Sequence, residues 1–315
     1  MNSHVSEQVQ KLINNVEEVI FGKREVVKLC VAGLLARGHL LIEDIPGIGK
    51  TTLAQGLARS IDSSFNRIQF TSDMLPSDIL GVSVLNPRTN EFEFRAGPIF
   101  ASILLADEIN RTPPKSQSAL LEAMSEAHVT VDGATHALPR PFMVLATQNP
   151  IEYEGTYTLP ESQLDRFMLR IEIGYPPELD ELHIMRRRDP VAALEQLKPA
   201  LSAQEVIELQ NEAGQVRVED SVARYMLDLV LATRTSELVQ LGASPRGSVA
   251  LYEACQARAM VEGRHYVTPD DVKMMAEPVL AHRLIVKTRG NTPIAGARER
   301  SRAIQEVIKR VPIPV

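Results

Sequence analysis

The chain has 315 residues, of which 44% are hydrophobic and 23% charged, with a net charge of −6 and 2 cysteines. That is ordinary globular composition for about two domains, and the acidic balance gives no reason to expect nucleic acid or anionic membrane as a partner. The opening MNSHVSEQVQKLINN lacks the apolar core of a signal peptide, and no run reaches the ~18 apolar residues of a membrane span. Cys30 and Cys255 sit in apolar-periodic helical stretches and read as buried thiols in a reducing compartment rather than a disulfide, so the expectation is a cytoplasmic protein.

In chain order, residues 24 to 37 place apolar side chains at helical spacing, and Gly38 is expected to close that helix. HLLIE (39–43) reads as a short strand, followed by the loop EDIPGIGKTT and a helix from Lys50. FNRIQF (65–70), ASILLA (101–106), FMVLAT (142–147) and FMLRIEI (167–173) read as further strands, with a helix through SQSALLEAM. Short apolar strands alternating with helices predict a parallel α/β sheet covered on both faces. GVSVLNPRTNEFEFR (81–95) alternates around an Asn-Pro-Arg-Thr-Asn turn, and HVTVDGATHAL (128–138) surrounds Asp132-Gly133, so both read as β-hairpin insertions. After Tyr175-Pro176-Pro177 the pattern is helical to about residue 287 with no strand, and Thr268-Pro269 marks a capped helix start. The last residues, RAIQEVIKRVPIPV, give a helix and a tail. The division falls near residue 176: a core over 1–176, then a helical lid over 177–315.

Five features carry chemistry, each with a plain structural alternative. The loop fills the end of the phosphate-binding pattern G-x-x-x-x-G-K-[ST] with Gly49, Lys50 and Thr51, but its first position holds Asp44. Backbone N–H groups from Ile48 to Thr51 could cradle phosphate oxygens, with Gly47 and Gly49 permitting close approach, Lys50 bridging the β- and γ-phosphates and Thr51 offering its hydroxyl to Mg²⁺; the alternative is a Gly-Pro turn before a helix. ILLADEIN delivers Asp107 and Glu108 to a strand end, where Asp107 suits Mg²⁺ and Glu108 suits polarising the attacking water; the alternative is an acidic helix start. Asn149, past the next strand, could orient that water or end in an Asn-Pro turn. Arg166 reads as a solvated surface residue or as a finger reaching a neighbour's γ-phosphate. Arg246, in ASPRGSVAL, reads as a helix-end charge or as a lid arginine dipping toward the phosphates.

The five together, in this order, define one machine. The stretches LIEDIPGIGKTTLA, DEINRTPPKSQSALLEAM and ATQNPIEYEGTYTLPESQLDRF resemble the AAA+ ATPases, and among them the MoxR family, over nearly the whole chain from VIFGKREV (19–26). The resemblance implies an AAA+ P-loop core with sheet order 5-1-4-3-2, two hairpin insertions and an all-helical lid, with ATP and Mg²⁺ as cofactors. It implies that Lys50 and Thr51, with Gly47, Ile48, Gly49 and Thr52 around them, hold phosphate and Mg²⁺, that Asp107 holds Mg²⁺, and that Glu108 is the catalytic carboxylate. Asn149 would be the first sensor, Arg166 the finger and Arg246 the second sensor, while Ile20 and Phe21 would flank the adenine. A homo-oligomeric ring, most simply a hexamer, would follow, with a client or adaptor protein, sometimes one bearing a von Willebrand factor A domain. Arg111 would lie between subunits. Asp44 is expected to point out of the cradle, so that Asp44→Gly keeps ATP binding.

Three rival readings compete with this one. A nucleic-acid motor needs basic hairpins, but 128–138 holds no Lys or Arg, 81–95 has Arg88 and Arg95 beside Glu91 and Glu93, and the run Arg186-Arg187-Arg188 reads as a solvated helix end. A scaffold that holds ATP without turnover conflicts with Asp107, Glu108, Asn149 and Arg166. A magnesium-chelatase-like motor subunit is a near relative that the family stretches disfavour. His128, His136, His183 and His265 show no ligand spacing, so no structural metal is predicted.

Overall fold

The computed structural model describes residues 3–149, 155–186, 190–287 and 293–314. The chain runs α1 (Ser3–Glu17), α2 (Arg24–Leu35), β1 (Leu40–Glu43), α3 (Lys50–Ser60), β2 (Phe65–Gln69), α4 (Pro76–Leu80), β3 (Gly81–Asn86), β4 (Glu91–Ala96), β5 (Ile103–Asp107) and α5 (Pro114–Glu126). It continues through β6 (His128–Val131), β7 (Ala134–Ala137), β8 (Met143–Gln148), α6 (Glu161–Leu164) and β9 (Leu169–Ile171). Helices α7 (Glu178–Arg186), α8 (Pro190–Gln196), α9 (Ala203–Ala213) and α10 (Asp220–Thr235) then lead to β10 (Val239–Leu241), α11 (Pro245–Val261), α12 (Pro269–Leu280), β11 (Ile285–Val286) and α13 (Pro293–Arg310).

The main sheet is parallel with order β2-β5-β8-β1-β9, which is the expected 5-1-4-3-2 when its own strands are counted. Alternate strand residues face opposite ways. Leu40, Ile42, Ile103, Leu105, Met143 and Leu145 join one apolar core with α1, α2, α3 and the lid helices, whereas Leu41, Leu104, Ala106, Val144 and Ala146 join another with α5. The register matters for function. Glu43 is level with Gln148, and Gln69 with Asp107, so the C-terminal strand ends form one polar edge. Leu40 is level with Leu169, so the segment 165–168 lies at the opposite edge. Four residues of β1 separate the two, about 13 Å at ~3.3 Å per residue.

Both hairpins form as expected. Asp132 (φ 49°) and Gly133 (φ 81°) take the positive angles a type I′ turn requires. The two insertions touch, because Phe94 stacks on His136 at 3.9 Å. Thr268 caps α12 in a capping box with Asp271. Both cysteines are free and buried, and burial pushes the Cys30 thiol up to about 12.

Two expectations are corrected. The lid is not strand-free: β10 and β11 pair antiparallel, with Val239 and Val286 buried at one end of the lid core. Helix α2 is closed by Arg37 at φ 54°, not by Gly38. Gly38 is required for another reason, since a Cβ there would lie 2.5 Å from the side chain of Met168. Among the described residues no helix is long and apolar enough to cross a membrane.

Candidate active site

The phosphate loop joins the C-terminal end of β1 to α3. Gly47 (φ 86°) and Gly49 (φ 93°) both lie in the left-handed region, and the left-handed Gly49 immediately precedes α3. Alternating left- and right-handed residues turn successive N–H groups toward one concavity, at the positive end of a helix dipole. The loop therefore fits a polyphosphate. Lys50, the first residue of α3, is half-buried, and its Nζ donates to the main-chain oxygen of Asp44 at 2.6 Å. Burial lowers its pKa, opposed by the nearby charges of Asp44, Asp107 and Glu108, so the lysine faces the acidic pair.

The Asp44 side chain does point away from the cradle. Its Oδ1 accepts the N–H of Ile45 (2.8 Å), and its Oδ2 accepts those of Ile173 and Gly174 (2.7 Å each). The carboxylate thus ties the start of the loop to the chain leaving β9. Its neighbour Glu43 pairs with Arg170 at 2.5 Å.

Asp107 ends β5, and both its oxygens are engaged: Oδ1 accepts from the Thr147 hydroxyl at 2.8 Å, and Oδ2 from the Arg67 guanidinium at 2.6 and 2.9 Å. Thr51 and Asp107 offer the hard oxygen donors that Mg²⁺ takes, and a carboxylate already bonded on both oxygens suits contact through the water that Mg²⁺ retains. Glu108 adopts φ 59°, a left-handed conformation that costs a non-glycine residue roughly 1 kcal/mol or more. The Thr147 hydroxyl accepts its N–H at 2.9 Å, Gln69 Nε2 donates to its Oε2 at 2.8 Å, and Arg111 pairs with it at 3.3 Å. Asn149 follows β8 on this same edge, one residue past Gln148, whose carbonyl accepts the N–H of Asp44.

A cavity of about 380 Å³ opens beside the loop. Ile20 and Phe21, expected beside the adenine, line it together with Gly47, Ile48, Gly49 and Thr52, expected around the phosphates. Tyr175, Pro176, Glu181 and Ile184 supply its other wall, so the contribution from beyond residue 176 is the short helix α7 rather than the bundle α9–α13.

The structure does not bring Arg166 and Arg246 to this site. Arg166 lies between α6 and β9, at the edge away from the loop, and its Nη1 donates to the carbonyl of Leu121 at 2.5 Å. Arg246 is exposed in the first turn of α11, two residues after Ser244, whose hydroxyl donates to Asp165 at 3.0 Å. Both arginines therefore share the far edge. Of the family-like stretch, residues 150–154 lie outside the described residues, as do Arg187 and Arg188. Sequence reasoning missed Arg67, Gln69 and Thr147. Thr147 is a polar residue near the tip of an apolar strand, the signal that singled out Asn149, whereas Gln69 ends the largely polar strand FNRIQ, which carries no such mark.

A sheet of this order with a phosphate loop after β1, an acidic pair at the end of β5 one strand further on beyond β8, and a helical lid defines an AAA+ ATPase. The model of the ATPase family associated with various cellular activities matches residues 39–169, and that of the AAA lid domain matches 231–311. Among relatives, the uncharacterized protein YeaC of Bacillus subtilis is 48% identical over 97% of this chain and 94% of that protein. Chaperone MoxR1 of Mycobacterium tuberculosis is 42% identical over 88% and 76%. A crystal structure from Cytophaga hutchinsonii, described as a candidate ATPase, superposes with a TM-score of 0.89 at 37% identity, covering 99% of this chain and 96% of that one. The magnesium-chelatase 38 kDa subunit of Acidiphilium rubrum is more distant, 29% identical over 58% of this chain and 52% of that protein. The chain belongs to the MoxR family of AAA+ ATPases.

Proposed function

We propose that this ATPase works as a homo-oligomeric ring, a hexamer in its simplest form, in which ATP and Mg²⁺ sit at the polar edge of one subunit and face the far edge of the next. The observation that carries this reading is the placement of Arg166 and Arg246 at the edge opposite Lys50. A guanidinium on that side has no route to its own subunit's γ-phosphate, about 13 Å of sheet away. A closed ring lets every far edge meet a polar edge.

Within the site, Lys50 and the N–H groups of Ile48–Thr51 would hold the phosphates, and Thr51 with Asp107 would hold Mg²⁺, which neutralises charge on the β- and γ-phosphates when bound. Glu108, held by Gln69 and Arg111, would polarise the attacking water, and Asn149 would orient it. Ile20 and Phe21 would flank the adenine. The core would end near residue 176, where the chain leaves β9 for α7. The cycle would drive chaperone-like remodelling, maturation or metal insertion of a cytoplasmic client, directly or through an adaptor with a von Willebrand factor A domain; the similarity to Chaperone MoxR1 supports the chaperone part.

The test is assembly and capture. Sedimentation of Glu108→Gln with ATP should show a ring, and affinity capture of that variant should retain the client. A monomer under saturating ATP would refute the arrangement.

A further inference from the structure

We propose that Asp165, Ser244 and Arg283 form a clamp that fuses Arg166 and Arg246 into one body with the lid, so that the lid of one subunit positions the groups acting in its neighbour's site. The inference rests on the reading that both arginines act across the subunit boundary.

The segment Asp165–Met168 is unusually rich in acceptors held by the lid. Asp165 Oδ1 accepts from Arg283 Nε at 2.8 Å, and Oδ2 from the Ser244 hydroxyl at 3.0 Å. The carbonyl of Phe167 accepts from Arg283 Nη2 at 2.7 Å and lies 2.9 Å from His282 Nε2, and that of Met168 accepts from Arg283 Nη1 at 3.2 Å. His282 and Arg283 are only 2% and 6% exposed, so water does not compete for these bonds. An arginine buried to this degree needs its carboxylate, and a planar fork spanning a carboxylate and two carbonyls fixes orientation as well as distance.

The same clamp sets the lid arginine. Ser244 is the N-cap of α11: its hydroxyl accepts the N–H of Gly247 at 3.3 Å while donating to Asp165. Arg246 lies inside that first turn, so the bond to Asp165 fixes the rotation of the turn that carries it. Arg166, next to Asp165 in sequence, is directed from the other side of the clamp toward α5. The lid residues that grip Asp165 come from two separate places, the start of α11 and the turn after α12, so a rigid rotation of the lid carries the clamp with it. Asp165, Ser244 and Arg283 are therefore positioning residues: none lies at the polar edge where chemistry would occur.

The test is complementation in mixed assemblies of the full-length protein. Arg166→Ala subunits, with a sound polar edge, are mixed with Glu108→Gln subunits, which have a sound far edge; recovery of turnover on mixing verifies action across the boundary. Ser244→Ala and Asp165→Asn are then carried through the same protocol. Each should lower turnover at saturating ATP by about tenfold or more, since displacing a catalytic group by ~1 Å can cost 10²-fold. ATP affinity should remain within about twofold of the parent, mixing with Glu108→Gln should restore turnover, and Ser244→Thr, which keeps the hydroxyl, should retain it. Should Asp165→Asn fail to fold, the milder Ser244→Ala decides. Parent-like turnover in Ser244→Ala, or a loss that mixing does not restore while Arg166→Ala is restored, overturns the clamp. Failure of Arg166→Ala itself to be complemented overturns the boundary reading, and the clamp with it.

Discussion

The two edges of the sheet are built from different materials. The polar edge is made of strand ends and loops whose charged groups are partly exposed and satisfied by one another: Lys50 on the Asp44 carbonyl, Arg67 on Asp107, Gln69 and Arg111 on Glu108. These bonds can be exchanged for bonds to a ligand at small net cost, because a hydrogen bond traded for another is worth only about 1 kcal/mol. The far edge is held by buried groups, His39, His282 and Arg283, whose partners are main-chain carbonyls and Asp165. In the proposed ring, adaptable bonding would mark the side that receives the nucleotide, and fixed bonding the side that presents groups to a neighbour.

The sharpest way to break this contrast is Arg166→Ala. Loss of an arginine finger lowers turnover by roughly 10³–10⁵, and steady-state phosphate release with unchanged ATP affinity is the expected result; a loss of affinity instead would place Arg166 at its own polar edge. Glu108→Gln should cost roughly 10²–10⁴ in turnover as a positioned proton acceptor is removed, with ATP still bound; turnover equal to the parent would remove Glu108 from the mechanism.

Acid distinguishes the edges by stability. Burial lowers the His39 pKa to about 4, although its bond to the Met124 carbonyl resists, and burial with the Arg283 charge also lowers that of His282. A folded-state value below the unfolded one near 6.5 means that the unfolded chain binds more protons between those values. Stability is therefore full above about pH 6.5 and declines as pH falls toward 4, by about 3 kcal/mol for His39 alone. Urea midpoints across that window should drop with acid, and a flat profile would contradict the burial of these imidazoles. The smallest effect is expected at Asp44. Losing its tie to Ile173 and Gly174 loosens the wall carrying Tyr175, so Asp44→Ala should weaken ATP by about tenfold, the lower end of what one charged hydrogen bond is worth, because the tie acts on the site only through that wall. Inorganic tripolyphosphate should bind as before, and equal losses for both ligands would mean that Asp44 shapes the cradle itself.

The individual strands and both hairpins were legible because their signals are local, namely apolar runs of strand length, an Asp-Gly turn and a glycine-rich loop before a helix, whereas the order of the strands rested on the resemblance to the AAA+ ATPases. The polar edge was nearly as legible, since parallel strands deliver their C-terminal residues to one line and the sequence marks them with Asp107, Glu108 and Asn149. What lies outside local pattern was not. No spacing rule announces that Ser244 and Arg283 meet Asp165, 79 and 118 residues earlier in the chain. The strands β10 and β11 escaped for a related reason, since two or three residues are too short to show period-two alternation. Asp44, a misfit in the loop pattern, became intelligible only when its partners past β9 were in view.

The opposed edges carry a last consequence for regulation by abundance. In the proposed ring, a chain whose phosphate loop and Arg166 face away from each other would be half an enzyme twice over, and its specific activity would be a property of encounter rather than of the molecule. Dilution should then silence it with every residue intact, and the number of copies made would by itself set turnover per molecule.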